Sequence, residues 1–244
     1  MDMRGPVNSM NDDFRSGLAL TVEKLEQEAD LKGVVLTSNK KTFFAGADLT
    51  QLVQAEAGKE AQWFEVAEQQ KSLLRRLEKL PVPVVAAING AALGGGLEVC
   101  LACNYRVAVD ASHVKVGFPE VTLGLLPGAG GTVRTIHMLG LQSALPILLE
   151  GRQYRVAQAK DLGLVDEIVA DSAALVETAK TWILSSPDQS QQAWDKKGHR
   201  IPGGGLSRVA VSQTLQVAPA MVYQKTRGTM PAPERLLSVA HDVL

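Results

Sequence analysis

The sequence predicts an α/β layer fold, and three observations carry that expectation. Short apolar runs at Gly33–Thr37, Val84–Ile88, Arg106–Val109 and Val165–Val169 alternate with longer segments of helical periodicity. Glycine-rich turns precede helical segments at Gly94-Gly95-Gly96 and at Gly128-Ala129-Gly130-Gly131. The 244 residues are 45% hydrophobic and 21% charged, ordinary for a chain that buries a large core without disulfides or metals. With 25 basic and 26 acidic residues, the formal net charge is -1, which argues against an electrostatically driven nucleic-acid binder. No apolar run reaches the roughly 18 residues of a membrane span. The polar start Met1–Asn11 does not read as a secretory signal.

Taken in order, Asn11–Glu28 is a helix with Phe14, Leu18, Val22 and Leu25 on one face and Asn11 or Asp12 as its cap. The strand Gly33–Thr37 follows, then a loop of small residues, Phe44-Ala45-Gly46-Ala47-Asp48. Lys59–Leu80 is helical and is stopped by Pro81 and Pro83. Val84–Ile88 is a strand, Asn89-Gly90 a turn, and a helix opens near Leu97. Arg106–Val109 and Val114–Gly117 are strands, joined by a surface hairpin at 110–115. Helices follow at Gly130–Met138, Gln142–Leu149 and Arg155–Leu162, then the strand Val165–Val169 and the helix Ala173–Leu184. Residues 189–205 read as a flexible loop, with a basic cluster from Lys196 to Arg200. Helical patterns resume over Leu206–Gln224, and a last helix from Pro231 is still running at Leu244. That ending, and the little room for a strand before Gly5-Pro6, read as a domain cut from a longer polypeptide. The expected organisation is a core over 1–188, the loop 189–205 and a C-terminal helical region over 206–244.

Several segments bear chemistry-capable groups. Gly94-Gly95-Gly96 lets a ligand approach the backbone, and the following helix offers unpaired N–H groups to a phosphate or an oxyanion. A tight crossover without a ligand is the plain alternative. The dinucleotide spacing fails, because Ala92 or Val99 falls where a glycine is needed. Glu98 and Glu120 both sit among apolar residues, where carboxyls find partners or take raised pKa values, and two in one cleft can divide acid and base roles. Singly, each also reads as an ordinary helix-start or loop carboxylate. The turn Leu125–Thr132 and the loop around Gly46 are further sources of backbone donors, or ordinary turns. Cys100 and Cys103 lie in an apolar helical segment with no second cysteine pair, so they read as buried, reduced thiols. His113, His137, His199 and His241 show no metal-ligand spacing.

Jointly and in this order, four pieces resemble the crotonase, or enoyl-CoA hydratase/isomerase, superfamily. They are Thr42–Leu49, Ala86–Glu98, Gly117–Glu120 and Leu123–Thr132. The resemblance implies a crotonase (ClpP-like) fold, in which repeated ββα units form a spiral of stacked sheets with surrounding helices. It implies hydration of 2-enoyl-CoA to 3-hydroxyacyl-CoA in fatty-acid β-oxidation, with isomerisation of 3-enoyl-CoA as a second activity. Glu98 and Glu120 match the two catalytic glutamates: Glu120 handles the α-carbon proton and Glu98 activates the water. The N–H groups of Ala47 and Gly95 match the oxyanion hole, where one donor is typically worth about 3 kcal/mol of transition-state stabilisation. Gly128 matches a donor to the water, and Ala45, Gly46 and Asp48 fall in the CoA-binding loop.

No cofactor or metal is implied beyond the CoA thioester substrate; NAD would serve only a separate dehydrogenase domain. The segments Gln224–Gly228 and Pro231–Glu234 resemble the multifunctional β-oxidation α-subunits. Partners implied are an acyl-CoA, a second copy of the chain, or a thiolase subunit, in a cytoplasmic setting with an organellar one left open. Thr50 stands where many relatives carry a lysine near the CoA phosphates, and Asn104 replaces a common acid. The competing readings are another enolate enzyme of the same family and a non-catalytic acyl-CoA-binding module.

Overall fold

The computed structural model describes residues 1–244. Asn11 starts the first helix, α1 (Asp12–Gln27), by accepting the Phe14 N–H on its side chain at 3.0 Å. Phe14, Leu18 and Val22 turn inward, and the Phe14 ring meets Phe44 edge-on at 4.9 Å. β1 (Val34–Leu36), α2 (Leu49–Val53) and α3 (Glu60–Glu78) follow. Next come β2 (Val84–Ile88), β3 (Ala92–Leu93), α4 (Gly95–Leu101), β4 (Tyr105–Val109) and β5 (Lys115–Gly117). α5 (Gly131–Leu139), α6 (Leu141–Glu150), β6 (Gln153–Arg155), α7 (Val156–Asp161), β7 (Glu167–Val169) and α8 (Ser172–Ser185) complete the core. The C-terminal region holds α9 (Val209–Thr226) and α10 (Pro231–Asp242). Short 3-10 turns occupy Glu120–Leu123 and Ala193–Asp195.

Two sheets are stacked. One is wholly parallel in the order β1-β2-β4-β7; the other runs β3-β5-β6, with β3 and β5 parallel and β6 antiparallel to β5. The chain visits them alternately. β2 lies in the first sheet, β3 in the second, and α4 follows; β4 and β5 repeat the move before α5. The first unit does the same in reduced form, since Phe44 bridges Ala92 after β1. This is the expected ββα spiral. All five residues of β2 are buried, which explains its unbroken apolar run, and α8 packs against all four strands of that sheet. On that face, Tyr105 and Trp182 stack at 4.3 Å.

The structure corrects several local expectations. β4 and β5 belong to different sheets, so residues 110–115 form a crossover and not a hairpin. α4 begins at Gly95, two residues before the expected start, and α9 begins at Val209 rather than Leu206. The last helix ends at Asp242, short of Leu244. Residues 189–205, expected as a flexible loop, are tied to the core at several points. Gln192 is buried and donates to the Ala102 carbonyl at 3.1 Å. The Asn104 side chain accepts the Val84 N–H at 2.8 Å and donates to the Ser190 carbonyl at 3.0 Å. Asp195 pairs with Arg75 and, at 3.2 Å, with Lys79. Cys100 and Cys103 are buried free thiols, and burial pushes the Cys103 thiol up to about 12.

Candidate active site

β3 ends at Leu93, and Gly94 takes φ +54°, a conformation that favours glycine, to turn the chain straight into α4. A side chain at Gly94 would meet the Glu120 carboxyl at 2.7 Å, and one at Gly96 would meet the Phe44 carbonyl at 2.4 Å. Gly94 is therefore required by its backbone conformation and Gly96 by close packing against backbone. α4 is buried along its whole length, so Glu98, in its first turn, projects from the core with almost no exposure.

Glu98 is held by the second glycine turn. Its Oε1 accepts the N–H groups of Ala129 and Gly131, both at 2.7 Å. Burial pushes this carboxyl up to about 7, while the two N–H bonds and the Arg134 charge pull against the shift. Glu120 opens the 3-10 turn after Pro119. Burial, and then the Glu98 charge, push it up to about 8. Its Oε2 is buried with no protein partner. The two acids therefore differ: two N–H groups at 2.7 Å stabilise the Glu98 carboxylate, whereas Glu120 is opposed only weakly, by its own backbone N–H. Of the coupled pair, Glu120 keeps its proton more readily.

Both acids line one cleft of about 230 Å³, together with Met10, Ala47, Gly95 and Gly128. The Ala47 strand edge is placed by the N-terminal segment, where Met10 donates to the Gly46 carbonyl at 2.8 Å and accepts the Asp48 N–H at 3.4 Å. That pairing turns the Ala47 N–H to the opposite edge. Gly46 packs there against the Leu93 carbonyl, with its Cβ direction 3.9 Å from the Gly95 nitrogen. The Ala47 N–H donates to no protein group, and Gly95, as the first residue of α4, has no intrahelical acceptor. The Gly128 N–H is likewise free of protein acceptors. Ala45 and Gly46 sit on the same loop, but the Ala45 N–H is tied to the Asn8 carbonyl at 2.8 Å. Asp48 caps α2 through the Thr50 N–H at 3.0 Å, and the Thr50 hydroxyl bond is the main reason its carboxyl titrates below the usual range.

Sequence reasoning missed Ala129 and Gly131 as the donors to Glu98, and Asn8 and Met10 as the supports of the Ala47 edge. The four cleft walls it did bring together are Ala47, Gly95, Glu98 and Glu120, with Gly128 beside them. The apolar remainder comes from Leu52, Trp63, Val66, Leu125 and Leu126.

The comparisons with known proteins give the family to which this two-sheet ββα spiral belongs. Residues 1–201 match the enoyl-CoA hydratase/isomerase family, and the chain belongs to it. It is 39% identical over 234 residues to the fatty acid oxidation complex subunit alpha of Vibrio parahaemolyticus. That stretch is 96% of this chain and 32% of the relative, so the chain spans about a third of that protein's length. Among solved structures, the enoyl-CoA hydratase of Bacillus anthracis is 30% identical, with TM-score 0.67 over 93% of this chain and 82% of its own. An enoyl-CoA hydratase/isomerase from Cupriavidus metallidurans, 22% identical, shares the fold with TM-score 0.70 over 98% of this chain and 82% of its own. No helix is long and apolar enough to cross a membrane.

Proposed function

We propose that this chain hydrates 2-enoyl-CoA to 3-hydroxyacyl-CoA. The observation that carries the reading is the pairing of Glu98 and Glu120 across one cleft, beside the free N–H groups of Ala47 and Gly95. The thioester carbonyl would accept those two N–H groups, which stabilise the enolate oxygen as charge develops. Glu98, as carboxylate, takes a proton from the water that attacks the β-carbon; the Gly128 N–H orients that water. Glu120, as the acid, delivers a proton to the α-carbon, and the pair then exchanges its proton with solvent. The free Oε2 of Glu120 and the two donors on Glu98 support this division of labour.

A site working with one proton on the pair is most active between about 7 and about 8, the values set for Glu98 and Glu120. Activity falls on the acid side as Glu98 is protonated and on the alkaline side as Glu120 loses its proton. The same two acids support isomerisation of 3-enoyl-CoA, in which one removes and one returns a proton. We place the reaction in fatty-acid oxidation, in a cytoplasmic setting, on the strength of the relative's name and of the two buried thiols. The site needs no cofactor in this scheme. A thiolase-type partner or a second copy of the chain belongs to the same proposal, since that relative is a subunit of a complex.

The test follows loss of the enoyl-thioester absorbance with a short and a medium-chain 2-enoyl-CoA. Wild type should turn over both or one of them, and the Glu98→Ala/Glu120→Ala variant neither. CoA-thioester binding by wild type without turnover would replace the hydratase reading with that of a binding module.

A further inference from the structure

Behind the Glu98 turn lies a buried ion network that the proposed chemistry does not use. Glu78, at the end of α3, has a side chain 1% exposed. Its Oε1 accepts from Arg134 Nε at 2.6 Å, and its Oε2 accepts from Arg75 Nη1 at 2.8 Å. Arg134, on α5 and itself buried, turns its Nη1 to the Ala129 carbonyl at 2.7 Å. Arg75 continues outward to Asp195 in the 189–205 segment.

The geometry of the turn gives this network a purpose. The two N–H groups that hold Glu98 belong to the peptides on either side of the Ala129–Gly130 peptide. The carbonyl of that middle peptide would repel the Glu98 carboxylate if it faced the same way, and it points instead to Arg134. Gly130 makes that possible with φ +100°, and Arg134 captures the outward carbonyl. A Cβ at Gly130 would lie 2.3 Å from Arg134 Nη1, so the glycine also makes room for the guanidinium. Two charged side chains have thus been buried at the one carbonyl whose direction decides whether Glu98 has its donors. Burial of this kind is costly in itself and is a weak source of stability, which leaves orientation as its return.

We propose that Arg134 and Glu78 are positioning residues: Glu78 fixes the Arg134 guanidinium, and Arg134 holds the Ala129 carbonyl so that the turn presents two N–H groups to Glu98. Neither touches substrate. The inference rests on the Glu98 chemistry proposed above. The charged groups around Glu98 are Glu120 across the cleft and Arg134 behind the turn with its partner Glu78; Arg15 and Asp48 stand farther along the cleft wall. Loosening the turn removes donors, and removing Arg134 also removes a favourable charge. Both changes move Glu98 toward its protonated form.

Two variants test this. Glu78→Gln keeps the shape and removes the charge that fixes Arg134. The pair Glu78→Leu/Arg134→Met replaces the ions with apolar groups of similar volume, a change that buried ion pairs often tolerate without unfolding. In both, kcat for 2-enoyl-CoA should fall about 10- to 100-fold, the range expected when a reacting group is misplaced. KM should stay within about twofold, because no group on the substrate is lost. The acid limb of the kcat profile should move to higher pH. A carbon-13 carboxyl titration of Glu98, assigned with Glu98→Gln, should move the same way. A folded double variant with wild-type kcat and an unmoved Glu98 titration overturns the proposal. If wild type fails to hydrate enoyl-CoA, the hydratase reading fails, and the Glu98 titration alone still decides whether the network positions it.

Discussion

Glu120→Gln should stabilise the protein, and by an amount that grows with pH. In the folded chain this carboxyl titrates at about 8, against 4.5 when it is free. Between those values the folded state keeps a proton that the unfolded state has released, so stability falls as pH rises from about 4.5 to about 8. Each unit is worth about 1.4 kcal/mol. Just under two units of that difference accrue between pH 5 and pH 7, about 2 to 3 kcal/mol. Glutamine removes the titration but keeps the shape, so the wild-type loss appears as a variant gain. Any hydrogen bond that the amide makes or misses beside the unpartnered Oε2 position adds a constant that does not vary with pH. The assay is urea unfolding of both proteins from pH 5 to pH 8, with equal m-values as the check that both unfold alike. In a domain of this size the gain at neutral pH is worth roughly 5 °C or more in Tm. Two stability curves that run parallel across that range would refute the raised carboxyl, and with it the assignment of Glu120 as the acid.

The catalytic counterpart is that Glu120→Gln loses most turnover yet still binds a CoA thioester, read by kcat beside calorimetric binding. Glu98→Ala should cost about 2 to 4 kcal/mol of stability in denaturant unfolding near pH 4.5, because it leaves the buried Ala129 and Gly131 N–H groups without their acceptor, and the cost should shrink toward pH 7 as the variant escapes the raised Glu98 titration. Gly96→Ala should cost about 3 kcal/mol or more, since its Cβ would fall 2.4 Å from the Phe44 carbonyl, a backbone atom that cannot swing aside; thermal unfolding reads this. Asn104→Ala should cost about 1 to 3 kcal/mol and expose the 189–205 segment to limited proteolysis, because it frees both the Val84 N–H and the Ser190 carbonyl.

What the sequence announces and what it hides divide along one physical line, local against non-local. β2 announces itself because both its faces are buried and five apolar residues in a row have no other stable place. β3 and β6 do not: β3 has two residues, and β6 is mostly exposed, so both are strands only because β5 lies between them. The same division runs through the site. Glu98 and Glu120 stand out as acids in apolar company, and the order of motifs around them resembles one family. Which glycine-turn N–H groups reach Glu98 is another matter. The resemblance names only Gly128, as a donor to the water, and its N–H is free; that Ala129 and Gly131 hold Glu98 is visible only in the fold. The choice is made by the rotation of one peptide at Gly130 and by a guanidinium four residues further along α5.

Arg134 and Glu78 give no local sign of this. In the sequence, Arg75 and Glu78 are an ordinary charge pair three residues apart, and nothing near either links them to Arg134. Only the approach of α3 to α5 turns them into buried ions whose polar outlets besides each other are the Ala129 carbonyl, in the turn that holds Glu98, and the Arg75–Asp195 pair. Charged residues that are solvated in the sequence and buried in the fold are therefore where this site carries information that no motif contains. The pH dependence of Glu98 is the quantity through which that information can be read.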